Sequence, residues 1–211
     1  MVERLQAGSQ GVIFVDLDGT LISANSMHIF MRQLPRELLR KGAVGGCLAA
    51  LWWMGLRTAR LVSHRTMKWH LTTLAARRYD AGDWERLAEK LTLHINPEVT
   101  GYIEDARRKG CRVYIATAAP EEYALPLSRL LGYDGAIATH LSGKLADYAE
   151  TRGAAKLNAI RKLQELEGLH LETFITDHKD DLPTIDAYPG HTLLVNPSKQ
   201  LSPAGNRKQK N

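Results

Sequence analysis

Asp16 and Asp18 stand at the end of a short apolar run, residues 11–16, within the segment Asp-Leu-Asp-Gly-Thr. The run predicts a buried parallel strand, and ligands bind at the carboxyl ends of such strands. Across a tight turn both carboxylates can face one cavity, where Asp16 could attack phosphorus and form an aspartyl phosphate. Asp18 could then protonate the leaving oxygen and later activate water. Taken alone, the segment also fits an ordinary strand-to-helix turn, in which Asp and Gly are common.

Thr117 and Lys156 carry groups that suit a phosphate. Thr117 follows a second apolar run, residues 111–116, and precedes Ala-Ala-Pro. Its hydroxyl and the neighbouring N–H groups could cradle a phosphate at a helix N-terminus, with an ordinary helix cap as the alternative. Lys156 falls in the first turn of a predicted helix, where a lysine opposes the helix dipole. That position suggests a compensating anion, with Arg152 and Lys144 as rivals for the role and a solvated lysine as the alternative.

Asp177 and Asp181 belong to an acidic segment, Asp-His-Lys-Asp-Asp, which follows another apolar run. Carboxylates at a strand end suit a hard cation such as Mg²⁺, which prefers oxygen ligands. The segment also fits an acidic N-cap of the following helix, a role that Asp180 could fill. Lys179 would partly neutralise these acids.

In this order, the four segments resemble the haloacid dehalogenase superfamily, in its phosphoserine-phosphatase-like branch. The motifs that carry the resemblance are DxDGT, a threonine after an apolar strand, a lysine and an acidic DxxxD. They cover a core of roughly residues 11–22 and 100–198. The ending Leu-Leu-Val-Asn-Pro at 193–197, followed by Leu201, also resembles that branch.

The resemblance implies a magnesium-dependent phosphatase with Asp16 as nucleophile and Asp18 as general acid and base. Thr117 and Lys156 would hold the phosphate. The resemblance also implies the metal ligands, which are the Asp16 carboxylate, the Asp18 backbone carbonyl, Asp177 and, directly or through water, Asp181.

The fourth motif departs from the family pattern. The family often has GDxxND there, whereas this chain has Thr-Asp-His-Lys-Asp-Asp at 176–181, and the glycine common after the second strand is also missing. Larger side chains predict a tighter or tuned metal site and leave the metal roles of Asp180 and Asp181 less defined than that of Asp177.

The elements that must position these residues alternate between strands and helices. Apolar runs and helical spacing predict the following elements: strands at 11–16, 111–116, 135–139, 171–176 and 191–195, and helices at 92–109, 120–131 and 153–167. This alternation predicts an α/β fold with a Rossmann-like, doubly wound and mainly parallel sheet.

Residues 23–95 interrupt the alternation, because they contain no clear strand and many helix formers. They predict three or four inserted helices. We expect a core domain at 1–22 and 100–201, an α-helical cap domain at 23–99 and a basic tail at 202–211. By resemblance, the cap selects the substrate.

Within the predicted cap, Ala43–Leu56 is apolar and flanked by basic residues. Its length of about 14 residues falls below the about 20 needed to span a bilayer, so we expect a buried cap helix. Trp52 and Trp53 beside basic residues also fit peripheral contact with a membrane. In that case the substrate would be a phosphate on a lipid or another apolar alcohol.

Composition sets the broad class. With 44% hydrophobic and 24% charged residues in 211, the chain is expected to be globular. A net charge of +5 suits acidic substrates or an anionic surface. Cys47 and Cys111 lack metal-ligand spacing, so we expect reduced thiols. The first residues lack an apolar leader, so we expect a cytoplasmic protein, with membrane association as the alternative left open. No Arg-and-aromatic strand typical of RNA readers is present, so no nucleic-acid partner is expected. The oligomeric state stays open.

A phosphomonoesterase acting on a small or amphiphilic organic phosphate is the leading hypothesis. A phosphotransferase would use the same aspartyl phosphate with an alcohol in place of water, and the sequence leaves this alternative open. A dehalogenase is disfavoured, because a second aspartate two residues after the nucleophile marks the phosphatases of the family. A non-catalytic binding module is disfavoured because all four motif positions are occupied.

Overall fold

Five parallel strands form the central sheet. The computed structural model describes residues 10–196, with the strands β1 (Gln10–Val15), β2 (Arg112–Pro120), β3 (Gly135–Thr139), β4 (Leu169–Thr176) and β5 (Thr192–Leu194). Their order is β3-β2-β1-β4-β5, and every pairing is parallel. The carboxyl ends of β1, β2 and β4 therefore meet at one edge. The predicted α/β, Rossmann-like sheet is confirmed.

Four helices form an insert between β1 and the rest of the sheet, and we call them the helical insert: α1 (Ser26–Arg40), α2 (Val44–Thr58), α3 (His64–Ala76) and α4 (Ala81–Thr92). Four more helices connect the strands: α5 (Pro97–Arg108), α6 (Glu121–Leu130), α7 (Ala154–Glu167) and α8 (Leu182–Ala187). The number of inserted helices agrees with the sequence, whereas the division into core and cap domains stays a prediction. The N-terminal stretch, Pro197, Leu201 and the tail at 202–211 lie outside the described residues.

The single helix predicted at 92–109 is wrong. α4 ends at Thr92 and α5 begins at Pro97. The side chain of Asn96 caps α5 by accepting a hydrogen bond from the Glu98 N–H, and proline at the first helical position does not continue a preceding helix. The backbone N–H of Asn96 also donates to the Leu21 carbonyl at 2.9 Å. The two ends of the helical insert therefore lie next to each other, where the chain leaves the sheet and returns to it.

Alternating residues of β1 cover both faces of the sheet, as expected for a strand with helices on both sides. Ile13 and Val15 belong to the apolar cluster that includes the helical insert, α5 and α6, whereas Val12 and Phe14 pack with α7. Within the first cluster, Phe30 of α1 lies 5.9 Å from Trp84 and 6.0 Å from Tyr123, measured between ring centroids. Trp84 belongs to α4 and Tyr123 to α6, so the insert and the sheet share one apolar core.

The burial predicted for Ala43–Leu56 is wrong. Along α2 only Cys47 and Ala50 are buried, and four large apolar side chains are 50% to 64% exposed: Val44, Leu48, Leu51 and Trp52. α2 packs against α1 and α3 through a narrow face with small residues at its centre. These four large apolar side chains point away from that face, and no neighbouring helix among the described residues covers them. No helix within residues 10–196 is long and apolar enough to cross a membrane.

We expect Leu34→Ala to lower the free energy of unfolding by about 2–5 kcal/mol, because Leu34 is fully buried in the shared core and its loss leaves a cavity. Leu39→Ala on the same helix is the matched control, since Leu39 is 52% exposed, and we expect a change within about 0.5 kcal/mol. Urea unfolding followed by circular dichroism measures both. Equal losses would show that α1 does not belong to the core.

Candidate active site

A cavity of about 530 Å³ opens at the carboxyl edge of the sheet. Its lining brings together all the side chains that the sequence analysis assigned to catalysis, phosphate or metal: Asp16, Asp18, Thr117, Lys156, Asp177 and Asp181. α3 of the helical insert contributes His64 and Lys68 to the same cavity. Segments up to about 160 residues apart in the chain therefore share one site.

Asp16 and Lys156 form a buried ion pair at the centre of the cavity. The Asp16 backbone N–H donates to the Ile175 carbonyl at 2.8 Å, which ties the end of β1 to β4. Lys156 Nζ lies 2.8 Å from Asp16 Oδ1 and 2.7 Å from Asp181 Oδ1, and the lysine is only 2% exposed. The anions predicted to compensate a lysine at the start of α7 thus include two carboxylates of the protein itself.

The charges of this group are coupled. Burial raises the pKa of Asp16 to about 7, and the opposing effect of Lys156 is not enough to restore an ordinary value. For Lys156, burial acts to lower the pKa, but Asp16 and Asp181 outweigh it and the pKa is raised. Lys156 is therefore a fixed cation beside the Asp16 carboxyl group.

Asp18 is held by the first turn of the helical insert. The backbone N–H of Ser26, the first residue of α1, donates to Asp18 Oδ1 at 2.6 Å. The Asn25 side chain caps the same helix through the His28 N–H, and Ser26 Oγ shares a hydrogen bond of 3.1 Å with the Tyr123 hydroxyl. Burial raises the pKa of Asp18 against the effect of the Ser26 N–H. A carboxyl group with a raised pKa suits a proton donor.

Asp177 rests directly against Gly19. The Thr20 hydroxyl donates to Asp177 Oδ1 at 3.2 Å. A Cβ atom on Gly19 would lie 2.3 Å from Asp177 Oδ2, and Gly19 has a φ of +81°, which favours glycine. The glycine of the DxDGT motif is thus required by the close approach of the fourth motif as well as by the turn. Burial raises the pKa of Asp177 too.

The oxygen atoms at this edge fit a divalent cation with few protein ligands. No group of three or more His, Cys, Asp and Glu side chains arranged for a metal is present among residues 10–196. Apart from Asp181, the predicted set consists of the carboxylates of Asp16 and Asp177 and the Asp18 carbonyl, and Mg²⁺ commonly keeps several waters beside so few protein ligands. Burial raises the pKa of all three acids, and a divalent cation would offset the cost of ionising them together.

Asp181 already has partners for both carboxylate oxygens. Thr176 Oγ1 donates to Asp181 Oδ2 at 2.6 Å, and Lys156 Nζ pairs with Oδ1 at 2.7 Å. This arrangement favours a role for Asp181 in holding Lys156. Its assignment as a direct or water-mediated metal ligand stays a prediction.

Thr117 lies in the extended backbone of β2 and precedes the helix predicted at 120–131, so it does not act as the cap of that helix. β2 continues to Pro120, and α6 begins at Glu121. The Thr117 oxygen accepts a hydrogen bond from the Ala119 N–H at 3.0 Å, which leaves the hydroxyl proton available to the cavity. The rival cations are placed differently: Arg152 lines the cavity paired with Asp180, whereas Lys144 is exposed and does not line it.

Lys68 is a cavity residue that the sequence analysis missed. It is 5% exposed, donates to the Ala118 carbonyl at 3.2 Å and forms an ion pair with Glu150. Its signal in the sequence was a lysine on the apolar face of α3, between Met67 and Leu71.

Two other residues of α3 fasten the helix to the loop after β3. Arg65 Nε donates to the Tyr148 carbonyl at 2.7 Å, and Trp69 Nε1 donates to the Ser142 carbonyl at 3.0 Å. These contacts and the Lys68–Glu150 pair hold α3 against the loop after β3. α3 therefore forms one wall of the cavity, which His64 and Lys68 line.

Comparison with known proteins gives the family of this site. A family model described as haloacid dehalogenase-like hydrolase matches residues 13–186. The chain belongs to the haloacid dehalogenase-like hydrolase family. A Mycobacterium tuberculosis protein named as a probable phosphatase is 32% identical over 204 residues, which cover 89% of this chain and 69% of that protein. The predicted superfamily and hydrolase class are confirmed.

Solved structures of this hydrolase fold support the same architecture. A Bordetella pertussis protein of unknown function has a TM-score of 0.68 at 16% identity, covering 92% of this chain and 93% of that chain. A phosphoserine phosphohydrolase-like protein from Francisella tularensis has a TM-score of 0.51 at 18% identity, covering 84% and 83%. At these identities the likeness concerns the fold alone.

We expect Lys156→Ala to lower the free energy of unfolding by about 3–5 kcal/mol at neutral pH, because it leaves two buried carboxylates without their cation. The loss should be smaller at pH 5 than at pH 8. Protonation of Asp16, whose pKa is raised to about 7, removes a charge that Lys156 offsets, and Lys156 itself stays charged over this range because its pKa is also raised.

Urea unfolding at the two pH values measures the effect. Lys162→Ala is the matched control, since Lys162 is an exposed residue of the same helix, and it should change stability by less than about 0.5 kcal/mol. A pH-independent loss for Lys156→Ala would contradict the electrostatic explanation.

Proposed function

We propose that this haloacid dehalogenase-like hydrolase is a magnesium-dependent phosphomonoesterase that acts through an aspartyl phosphate on Asp16. The observation that carries the proposal is the buried Lys156, which lies 2.8 Å from Asp16 in a cavity that also holds Asp18, Thr117 and Asp177. A carboxylate beside a fixed cation can approach a phosphate dianion that it would otherwise repel. The name of the mycobacterial relative supports the same reaction class.

In the first half-reaction, an Asp16 carboxylate oxygen forms a bond to phosphorus as the bond from phosphorus to the alcohol oxygen breaks. Asp18 gives its proton to that oxygen, so the alcohol leaves neutral. The Ser26 N–H stabilises the carboxylate that Asp18 then becomes. Lys156 and the Thr117 hydroxyl bind the phosphoryl oxygens throughout.

In the second half-reaction, ionised Asp18 accepts a proton from water as the water oxygen bonds to phosphorus. The acyl-phosphate bond breaks, the Asp16 carboxylate is restored and inorganic phosphate leaves. A bound Mg²⁺ would offset negative charge on the phosphoryl group in both halves. Asp16, Asp177 and the Asp18 carbonyl would hold it, and Asp181 would keep Lys156 in place.

We assign substrate selection to the helical insert, the predicted cap at 23–99. His64 and Lys68 of α3 line the cavity together with the aspartates, and so does the ion pair of Arg152 and Asp180. A volume of about 530 Å³ lined largely by charged and polar groups suits a small organic phosphate whose alcohol carries polar substituents.

We expect Asp16→Asn to abolish phosphate release, because the amide is a poor nucleophile, and Asp18→Asn to lower kcat by about 10²–10⁴-fold, because the leaving oxygen loses its proton donor. The measurement is release of inorganic phosphate from a panel of phosphorylated metabolites with Mg²⁺ present. Trapping radiolabelled protein from a labelled substrate reports the aspartyl phosphate directly.

Asp186→Asn is the control for these variants, since Asp186 is exposed on α8 and does not line the cavity. Full activity of Asp16→Asn would refute the proposed nucleophile. An added alcohol acceptor such as glycerol separates hydrolysis from phosphotransfer, because transfer yields a new phosphate ester instead of inorganic phosphate.

We expect chelation by EDTA to stop turnover and excess Mg²⁺ to restore it. Gly19→Ala should raise the Mg²⁺ concentration needed for half-maximal activity by about 10–100-fold, because the new methyl group displaces the Asp177 carboxylate. Gly101→Ala is the matched control, since no atom lies within 4 Å of its added Cβ. Activity that is indifferent to EDTA would remove Mg²⁺ from the proposal.

A further inference from the structure

α2 exposes an apolar stripe that no described part of the chain covers. Val44, Leu48, Leu51 and Trp52 are spaced so that they fall on one side of the helix, and each is at least 50% exposed. Leu61, just beyond the helix, is 72% exposed. We call these four residues of α2 the apolar face. Scattered exposed leucines need no explanation, but a contiguous face that includes a tryptophan marks an interaction surface.

A groove continues the apolar face between α1 and α2. It has a volume of about 480 Å³ and is lined by His28, Met31, Arg32, Pro35, Leu51 and Met54. An adjoining cavity of about 330 Å³ shares His28, Met31 and Met54 with it and adds Arg57 and Arg60. No acidic residue belongs to either lining, within the part of the chain that the structure describes.

The charge around the apolar face is positive and uncompensated. Arg32, Arg36, Arg57 and Arg60 form no ion pair with any of residues 10–196. Arg40 and Lys41 differ, because acids of α1 and α4 pair with them. Arg32, Arg57 and Arg60 line the groove or the adjoining cavity, and Arg36 follows Arg32 by about one turn of α1, so all four are available to an external anion.

We propose that the apolar face of α2 docks on the surface of an anionic lipid bilayer. The apolar side chains would enter the boundary between headgroups and acyl chains, with Trp52 at the depth that tryptophan prefers. The four unpaired arginines would lie at the level of the lipid phosphates. α2 is an interfacial helix in this arrangement and does not cross the bilayer, in agreement with its length of 15 residues.

Charge distinguishes this occupant from a second copy of the chain. A two-fold contact between two apolar faces would bring the arginines of both copies to the same interface, where like charges repel. An anionic bilayer neutralises the same arginines. This proposal does not depend on the phosphatase reaction, because none of the apolar-face residues or the four arginines lines the catalytic cavity.

The test is co-sedimentation of the full chain with vesicles of phosphatidylglycerol and phosphatidylcholine, compared with vesicles of phosphatidylcholine alone. We expect binding to the anionic vesicles that weakens as salt is raised. Leu48→Gln together with Trp52→Gln should lower the partition coefficient by about tenfold or more, since two apolar anchors become polar. Leu93→Gln together with Leu166→Gln is the matched control, because both leucines are exposed outside α2, and binding should be unchanged.

A second pair of variants tests the charge. Arg32→Gln with Arg36→Gln should weaken binding to anionic vesicles by about 30-fold, because each basic residue near the surface contributes to binding and two are removed. Arg161→Gln with Lys162→Gln removes the same net charge from exposed positions on α7, on the opposite side of the sheet, and should have little effect. Circular dichroism verifies that each variant is folded.

Three outcomes would overturn the proposal. Absence of wild-type binding to anionic vesicles is one, and equal binding by the Leu48/Trp52 variant is another. The third is a dimer in light scattering that the Leu48/Trp52 variant abolishes without any vesicle binding, which would assign the apolar face to a second copy. None of these outcomes bears on phosphate release in solution, so the two proposals fail separately.

Discussion

The geometry of the cavity depends on one buried lysine placed between two carboxylates. Removing Lys156, Asp16 and Asp181 from water is costly, and the arrangement is tolerable only because each charge faces its opposite within 2.8 Å. Three segments must meet for this to happen: the end of β1, the first turn of α7 and the loop after β4. The parallel sheet brings the strand ends to one edge, and Gly153 lets the chain turn into α7 with a φ of +57°. The ion pair is therefore a constraint on the whole sheet as well as a feature of the site.

The loop after β4 shows how a departure from a family pattern can still serve the same site. The position where the family often has glycine is occupied by Thr176, whose hydroxyl donates to Asp181 and accepts from the His178 N–H. His178 in turn accepts from the Asp180 N–H through Nδ1. Larger side chains thus replace the freedom of glycine with hydrogen bonds that fix the loop. The tighter or tuned metal site predicted from the sequence stays a prediction, and these bonds show only that the loop carrying Asp177 is fixed.

Features fixed by interactions between nearby residues were predictable from the sequence, whereas features fixed by contacts between distant residues were not. The strands and the αL end of α7 at Gly168 were predictable because periodicity and glycine chemistry are local signals. The break at Asn96 and the extension of β2 through Thr117 depend on one cap and on pairing with β3, so the predicted boundaries failed there. The ion pair of Lys68 with Glu150 joins residues that are 82 positions apart in the sequence, and no local sequence pattern predicts it. For α2, composition indicated an apolar helix correctly, but burial is decided by neighbours that the sequence does not name.

The packed rings of Phe30, Trp84 and Tyr123 restrict how a ligand can enter and leave the cavity. Because these rings join the helical insert to α6 in one apolar core, swinging the whole insert away would expose that core to water. α3 is attached to the opposite wall by polar contacts instead, through Arg65, Lys68 and Trp69. A hydrogen bond whose partners become exposed exchanges with water at a net cost of only about 0.5–1.5 kcal/mol. Ligand exchange at the cavity is therefore expected to need only release of the loop that α3 touches, and a large hinge motion is unnecessary.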